Sequence, residues 1–157
     1  MIKMKIVIDS DALIKLTKSG AKELITECFN VVIPERVYEE TVTEAEGYPD
    51  AKEIERNIEA KRIEIKEASQ EEKGEMAVLD LYKRGDYDLL ISDDCRFLRH
   101  LAVDGIPYLT PSFLIVYLLH KRKISKEYAE NYIDNLKMYI SEEEYLTAIE
   151  EVLKWAK

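Results

Sequence analysis

Two apolar runs of this sequence lead into aspartates. Residues 4–8 are followed by Asp9, and residues 87–91 are followed, after Ser92 and one further acid, by Asp94. In a parallel α/β sheet, ligands bind beyond the carboxyl ends of the strands. A right-handed parallel arrangement would bring both aspartates to the same edge of the sheet. We therefore expect the chemistry of this chain to lie at that edge.

Two glutamates are placed where they could face the same edge. Glu40 lies six residues after Pro34, in the helix expected after a strand at 31–33. Glu75 lies in the opening turns of a helix rich in apolar residues. The sequence leaves open whether Glu39 or Glu40 faces the edge. An ordinary surface position is the alternative for each glutamate.

Four ionised carboxylates around one cavity would repel one another. At low effective dielectric they repel one another by roughly several kcal/mol, unless a cation or shifted pKa values relieve the repulsion. The set offers oxygen donors without His or Cys, and such sets favour Mg²⁺ or Mn²⁺. These ions activate water and neutralise charge on phosphates. The pattern therefore predicts metal-assisted phosphoester hydrolysis.

Composition limits the class of protein. The chain has 157 residues, of which 46% are apolar, so we expect one compact domain. No stretch is long and uncharged enough for a membrane span, and the N-terminus lacks the pattern of a secretory signal. We therefore expect a cytoplasmic protein without membrane contact. The two cysteines lack CxxC spacing, which argues against a zinc site or a disulfide framework.

Strand-like and helix-like patterns alternate along the chain. Short apolar runs predict strands at 4–8, 31–33, 87–91 and 108–109, and the segment 51–65 is interpreted as a charged helix followed by an edge strand at 63–65. Helical spacing falls between them, which predicts an α/β fold with three layers, α/β/α, around a central, mainly parallel sheet. A capping box at 69–72 predicts the start of the helix that holds Glu75. Two helices with serine caps are expected at 125–139 and 141–155.

Four segments of the chain resemble those of PIN-domain proteins, a family of metal-dependent ribonucleases that includes toxins of toxin–antitoxin pairs. The segments are IVIDSDALI at 6–14, VIPERVYEE at 32–40, GEMA at 74–77 and LISDDCRF at 90–97. Their order and spacing match the family, and the resemblance spans about residues 4–115. The third and second segments are most similar to an uncharacterised prokaryotic PIN-like subgroup.

The resemblance implies a metal-dependent endoribonuclease that holds Mg²⁺ or Mn²⁺. Its catalytic and metal-binding carboxylates would be Asp9, Glu40, Glu75 and Asp94. Asp93 is a further candidate metal ligand. Asp11 and Ser92 would be accessory groups, which either orient water near the metal or cap a helix.

RNA binding must be reconciled with the charge of the chain. Lys15, Arg96 and Arg99 lie within a turn or two of the acids and could contact RNA phosphates, although a solvated helix face is the alternative. The net charge of −9 argues against a general nucleic-acid binder. We therefore expect affinity for RNA to come from metal bridging and a local basic patch.

The resemblance also implies how the chain is organised. It predicts a PIN-like nuclease domain at 1–124, with residues 125–157 as a helical extension packed on the same domain. It further implies a homodimer that acts on RNA. An antitoxin protein would be a partner if the gene belongs to a toxin–antitoxin pair.

Two alternatives stay open. Asp9 and Asp11 after a strand also resemble the DxD motif of haloacid-dehalogenase-type phosphatases, in which Asp9 would be the nucleophile and Asp11 a general acid. That interpretation leaves Glu40 and Glu75 without a role. The other alternative is a non-enzymatic PIN-like binding or assembly module whose carboxylates recruit no metal.

Overall fold

The sheet at the centre of the molecule is parallel throughout. A computed structural model describes residues 3–67 and 74–155 of the chain. Within them the strands pair in the order β3-β2-β1-β4-β5, all parallel. The strands are β1 (Lys5–Ile8), β2 (Asn30–Pro34), β3 (Ile63–Lys66), β4 (Leu89–Ile91) and β5 (Tyr108–Leu109). The predicted α/β fold with a central parallel sheet is confirmed, including the strand at 63–65.

The helices connect the strands and complete the three-layer α/β/α fold. They are α1 (Ser10–Ser19), α2 (Lys22–Cys28), α3 (Glu35–Tyr38), α4 (Pro49–Glu59), α5 (Gly74–Arg84), α6 (Cys95–Val103), α7 (Pro111–His120), α8 (Lys126–Asp134) and α9 (Glu142–Lys154). A single π-helical turn, Glu39–Thr43, continues α3. Within residues 3–67 and 74–155, no helix has the length and apolar character needed to cross a bilayer.

The central strand positions the site. The side chains of Ile6, Val7 and Ile8 are at most 1% exposed, as expected for a parallel strand covered on both faces. Ile8 is level with Ile91 of β4, and the backbone N–H of Asp9 donates to the Ile91 carbonyl at 3.1 Å. β1 and β4 therefore end side by side. The chain runs outward from β1 in opposite directions, so this is the switch point at which α/β sheets bind ligands.

The helix expected at 125–139 is shorter in the structure. It ends at Asp134, where the Asn135 side chain donates to the Ser19 carbonyl at 2.9 Å and Leu136 turns into the core. These tertiary contacts replace further helical turns. α8 packs against α1 and α7, and α9 packs against α7 and α8. The boundary at residue 124 stays a prediction, and the capping box at 69–72 lies outside the described residues.

Candidate active site

A cleft of about 310 Å³ opens at the carboxyl edge of the sheet. Its lining is dominated by acids that come from distant parts of the chain. It is lined by Asp9, Ser10, Asp11, Arg36, Glu40, Gly74, Glu75 and Asp94. The structure therefore brings together the four predicted catalytic carboxylates, with Asp11 beside them.

Asp9 is the buried member of the set. Its side chain follows β1 directly, and the residue is only 6% exposed. One carboxylate oxygen accepts from the N–H of Ala12 at 2.9 Å and caps α1, while the other accepts from the Ser92 hydroxyl. Burial raises the pKa of Asp9 from 3.8 to about 6, against the lowering effect of these two hydrogen bonds. A nearby cation would favour the ionised form of this carboxyl.

Ser92 and Asp94 extend the same arrangement from β4. Ser92 is fully buried and accepts from the backbone N–H of Asp94 at 3.3 Å while it donates to Asp9. Asp94 caps α6, because its Oδ1 accepts from the N–H of Phe97 at 2.8 Å. Helix capping uses one oxygen of Asp94 and leaves the other for a ligand. The capping and metal-binding interpretations of this residue are therefore compatible.

Glu40 reaches the cleft from the π-helical turn. In that turn the N–H of Glu44 donates to the carbonyl of Glu39 at 2.7 Å, five residues back. Such wide turns are common at functional sites because they redirect side chains. Glu40 lines the cleft, where its Oε1 accepts from the Ser10 hydroxyl at 2.7 Å, whereas Glu39 pairs with Arg36 at 3.1 Å.

Gly74 and Glu75 come from the start of α5. Glu75 is exposed and lines the cleft. Gly74 packs directly against Glu40, so closely that no larger side chain would fit without moving the carboxylate. The start of α5 therefore supplies one carboxylate and makes room for another.

Comparison with known protein families decides the class of this fold. A profile of the PIN domain matches residues 5–154 of the chain. The chain belongs to the PIN-domain family. The match extends through α9, beyond the stretch of about 4–115 over which the sequence segments are similar. PIN domains are generally nucleases and generally use divalent metal ions. No curated protein matches the chain.

Some predicted residues of this PIN domain lie away from the cleft. Asp93 pairs with Lys15, and among the described residues neither of them lines the cleft. Arg96 and Arg99 are exposed on α6 and are also outside the cleft lining that the structure describes. Their contact with RNA phosphates stays a prediction.

A second polar cluster lies beside the site. Glu144, near the start of α9, accepts from the buried Ser112 hydroxyl at 2.7 Å and faces Asp93. Burial raises the pKa of Glu144 from 4.5 to about 7, and its hydrogen bond with Asp93 acts in the same direction, whereas Lys15 and Ser112 oppose the shift. Sequence reasoning missed Glu144, because nothing local relates it to an acid about fifty residues earlier in the chain.

Arg36 is the other residue that sequence reasoning missed. It lines the cleft, four residues before Glu40, with its Nη2 at 3.8 Å from Glu40 Oε2. A helical spacing of four places two side chains on one face, so this spacing was an available signal. The signal is weak, because Arg and Glu at this spacing are common on solvated helices.

The donor set of this PIN domain fits a divalent cation by its chemistry. Carboxylates that belong to four separate segments face one cleft, and one of them is buried with a raised pKa. Within the described ranges, no three His, Cys, Asp or Glu side chains form a ready-made metal group. One oxygen of Glu40 accepts from Ser10, and one oxygen of Asp94 accepts from the backbone of Phe97. A hard divalent cation takes carboxylate oxygens of this kind as ligands.

Proposed function

We propose that this PIN domain is a Mg²⁺- or Mn²⁺-dependent ribonuclease that hydrolyses RNA phosphodiesters. The supporting observation is the cleft at the switch point of the sheet, in which five carboxylates and one arginine surround about 310 Å³. A strongly acidic cleft of oxygen donors suits a hard divalent cation, and a cation is what an RNA phosphate needs in order to approach it.

Four residues would hold the metal, and the chemistry they support follows from their surroundings. The proposed ligands are Asp9, Glu40, Glu75 and Asp94. A bound Mg²⁺ or Mn²⁺ supplies a water of lowered pKa and neutralises charge that develops on the phosphate. The hydroxyl of Ser92 keeps one oxygen of Asp9 oriented, and the hydroxyl of Ser10 does the same for Glu40.

Asp11 has a separate role in this proposal. It is exposed at the first turn of α1 and lines the cleft, but Asp9 is the residue that caps the helix. A free carboxylate at the mouth of an acidic cleft can accept a hydrogen bond from a water molecule and orient it. We therefore assign Asp11 to water positioning rather than to capping.

The choice of RNA, a homodimer, an antitoxin partner and a cytoplasmic location stay predictions. The net charge of −9 means that phosphate binding depends on local features of the cleft rather than on the whole surface. A single structured RNA or a basic protein partner would fit that charge.

The alternatives gain less support from the structure. The phosphatase interpretation, with Asp9 as nucleophile, gives no role to Glu40 and Glu75, although both line the same cleft as Asp9. A binding module without metal would use the same acidic cleft, and it differs from the proposed enzyme in its affinity for Mn²⁺. The first experiment therefore has to measure metal binding and RNA cleavage independently.

The experiment begins with calorimetric titration of Mn²⁺ into the wild-type protein and the variants Asp9→Asn and Asp94→Asn. Asp104→Asn is the matched control, because Asp104 is an exposed aspartate at the other end of α6. The same proteins are then incubated with a mixed pool of single-stranded RNA. We expect both cleft variants to lose Mn²⁺ binding and cleavage, while Asp104→Asn keeps both.

Other outcomes have distinct meanings. Binding of Mn²⁺ without cleavage of the pool keeps the metal site and indicates a narrower RNA target or a different phosphoester. Absence of Mn²⁺ binding at millimolar concentration contradicts the proposal and supports the non-enzymatic module. Cleavage by Asp9→Asn at the wild-type rate contradicts the assigned site.

A further inference from the structure

One basic side chain enters the acidic cleft. Eight of the described residues line it; five of these eight are acids, and Arg36 is the one among them with a positive charge. An RNA phosphate that approaches this cleft meets repulsion from the carboxylates, which a metal relieves only in part. A guanidinium at the same place therefore has a larger effect on phosphate binding than one on the open surface.

The Arg36 side chain is held from one side. Its Nη1 donates to Glu39 at 3.1 Å and contacts Glu44 at 2.8 Å. Glu39 begins the π-helical turn and Glu44 follows it, so the guanidinium is fixed to the same element that carries Glu40. Arginine bound in this way loses little further side-chain entropy when it binds a ligand.

The other side of the guanidinium retains donors. Its Nη2 is 3.8 Å from Glu40 Oε2, which is beyond hydrogen-bond distance. Its Nε is buried, with no hydrogen-bond partner among the residues that the structure describes. Because Nε is enclosed by protein, Nη2 is the donor on this side that we consider for a ligand in the cleft.

We propose that Arg36 binds a non-bridging oxygen of the RNA backbone in the cleft, through the guanidinium edge that Glu39 and Glu44 leave free. The proposal rests on the proposed ribonuclease function and adds a substrate contact to it. The planar fork of arginine matches the oxygens of a phosphate. Arg36 thus takes the role that the sequence suggested for Lys15, Arg96 and Arg99.

The test separates RNA binding from cleavage. Binding of a fluorescein-labelled, single-stranded RNA of mixed sequence is measured by anisotropy with Ca²⁺ in place of Mg²⁺, for wild type, Arg36→Met and Arg36→Lys. Arg62→Met is the matched control, because Arg62 also lies beside two glutamates, Glu23 and Glu27, but outside the cleft lining. Thermal unfolding checks that each variant is folded.

We expect Arg36→Met to weaken RNA binding roughly tenfold, the effect of one hydrogen bond to a charged group. The slope of log affinity against log salt should fall by about one unit. The RNA affinity of Arg36→Lys should lie between those of wild type and Arg36→Met, because lysine keeps the positive charge but lacks the planar fork of arginine. Arg62→Met should bind within about twofold of wild type, and Mn²⁺ affinity should be retained in all three variants.

Equal RNA binding by Arg36→Met and Arg62→Met would overturn the proposal, and so would a wild-type protein that binds no RNA. Failure of the ribonuclease function gives a different result. In that case the wild type cleaves no RNA with Mn²⁺, but RNA binding still falls in Arg36→Met, and the phosphate contact survives as part of a binding module.

Discussion

Gly74 and Glu40 are in contact at the mouth of the cleft, and the absence of a side chain at Gly74 makes that contact possible. A Cβ atom at Gly74 would clash with Glu40 Oε1 and would lie 3.3 Å from the Cδ of that residue. The two residues come from α5 and from the π-helical turn after β2. The glycine therefore determines where a proposed metal ligand can be placed.

Replacement of Gly74 by alanine should weaken metal binding without unfolding the protein. The added methyl group displaces the Glu40 carboxylate and disrupts its hydrogen bond with Ser10. The change in stability should stay within about 1 kcal/mol, because a glutamate side chain can rotate away and alanine favours the helix. Calorimetry should show at least a severalfold loss of Mn²⁺ affinity.

The control for this prediction is Met76→Ala, at an exposed position two residues further along α5. It should leave Mn²⁺ affinity unchanged. Unchanged affinity in Gly74→Ala as well would mean that Glu40 has no part in metal binding.

Asp9→Asn should stabilise the metal-free protein at neutral and higher pH. Because the folded pKa of Asp9 is raised to about 6 from 3.8, the folded state binds more protons than the unfolded state between those values. Its contribution to stability is present below about pH 4 and is lost as the pH rises through 6. Asparagine removes this loss, which is on the order of 3 kcal/mol at pH 8.

Urea denaturation with EDTA at about pH 4 and pH 8 tests this prediction. The free energies of unfolding of wild type and Asp9→Asn should be closer to each other at pH 4 than at pH 8. Addition of Mn²⁺ should reverse the order at pH 8, since binding stabilises only the protein that retains its ligand. A pH-independent difference between them would argue against a raised pKa at Asp9.

Ser92→Ala should raise the pKa of Asp9 further and make metal binding require a higher pH. The hydroxyl donates to the Asp9 carboxylate and lowers the pKa of that group, so its removal favours the protonated form. We expect a loss of about 1–2 kcal/mol in stability at neutral pH, because a buried carboxylate oxygen loses its donor. Titration of Mn²⁺ across pH gives the measurement. An unshifted pH midpoint in the variant would show that Ser92 does not tune Asp9.

Glu144→Gln should flatten the pH dependence of stability between about pH 5 and pH 8. Glu144 has its pKa raised to about 7, so its contribution to stability is present below about pH 4.5 and is lost as the pH rises through 7. Glutamine resembles the protonated form, since it can donate to Asp93 and still accept from Ser112. The variant should be more stable than wild type at pH 8 by on the order of 1 kcal/mol, after allowance for partial exposure.

The exposed neighbour Glu143 offers the matched control, because its side chain lies outside this cluster. Glu143→Gln should follow the wild-type curve of unfolding free energy against pH. If Glu144→Gln follows that curve too, Glu144 is already ionised in the folded protein at neutral pH.

The sequence by itself determined which segments are strands and where the acids follow them. Continuous apolar runs form strands that are buried on both faces, and their ends carry Asp9 and Asp94 to the edge of the sheet. These features depend on local pattern and on the regular geometry of parallel sheets. The same features carried the resemblance to PIN domains that the family profile confirms.

Only the tertiary structure decided which side chains share the cleft. Glu40 rather than Glu39 lines the cleft, and it lies in a π-helical turn that no sequence pattern predicts. Arg36 enters the cleft, while Lys15 turns to Asp93 and Glu144 joins them from α9. The placement of these side chains depends on their directions and on packing between distant elements. The periodicity of the sequence predicts neither.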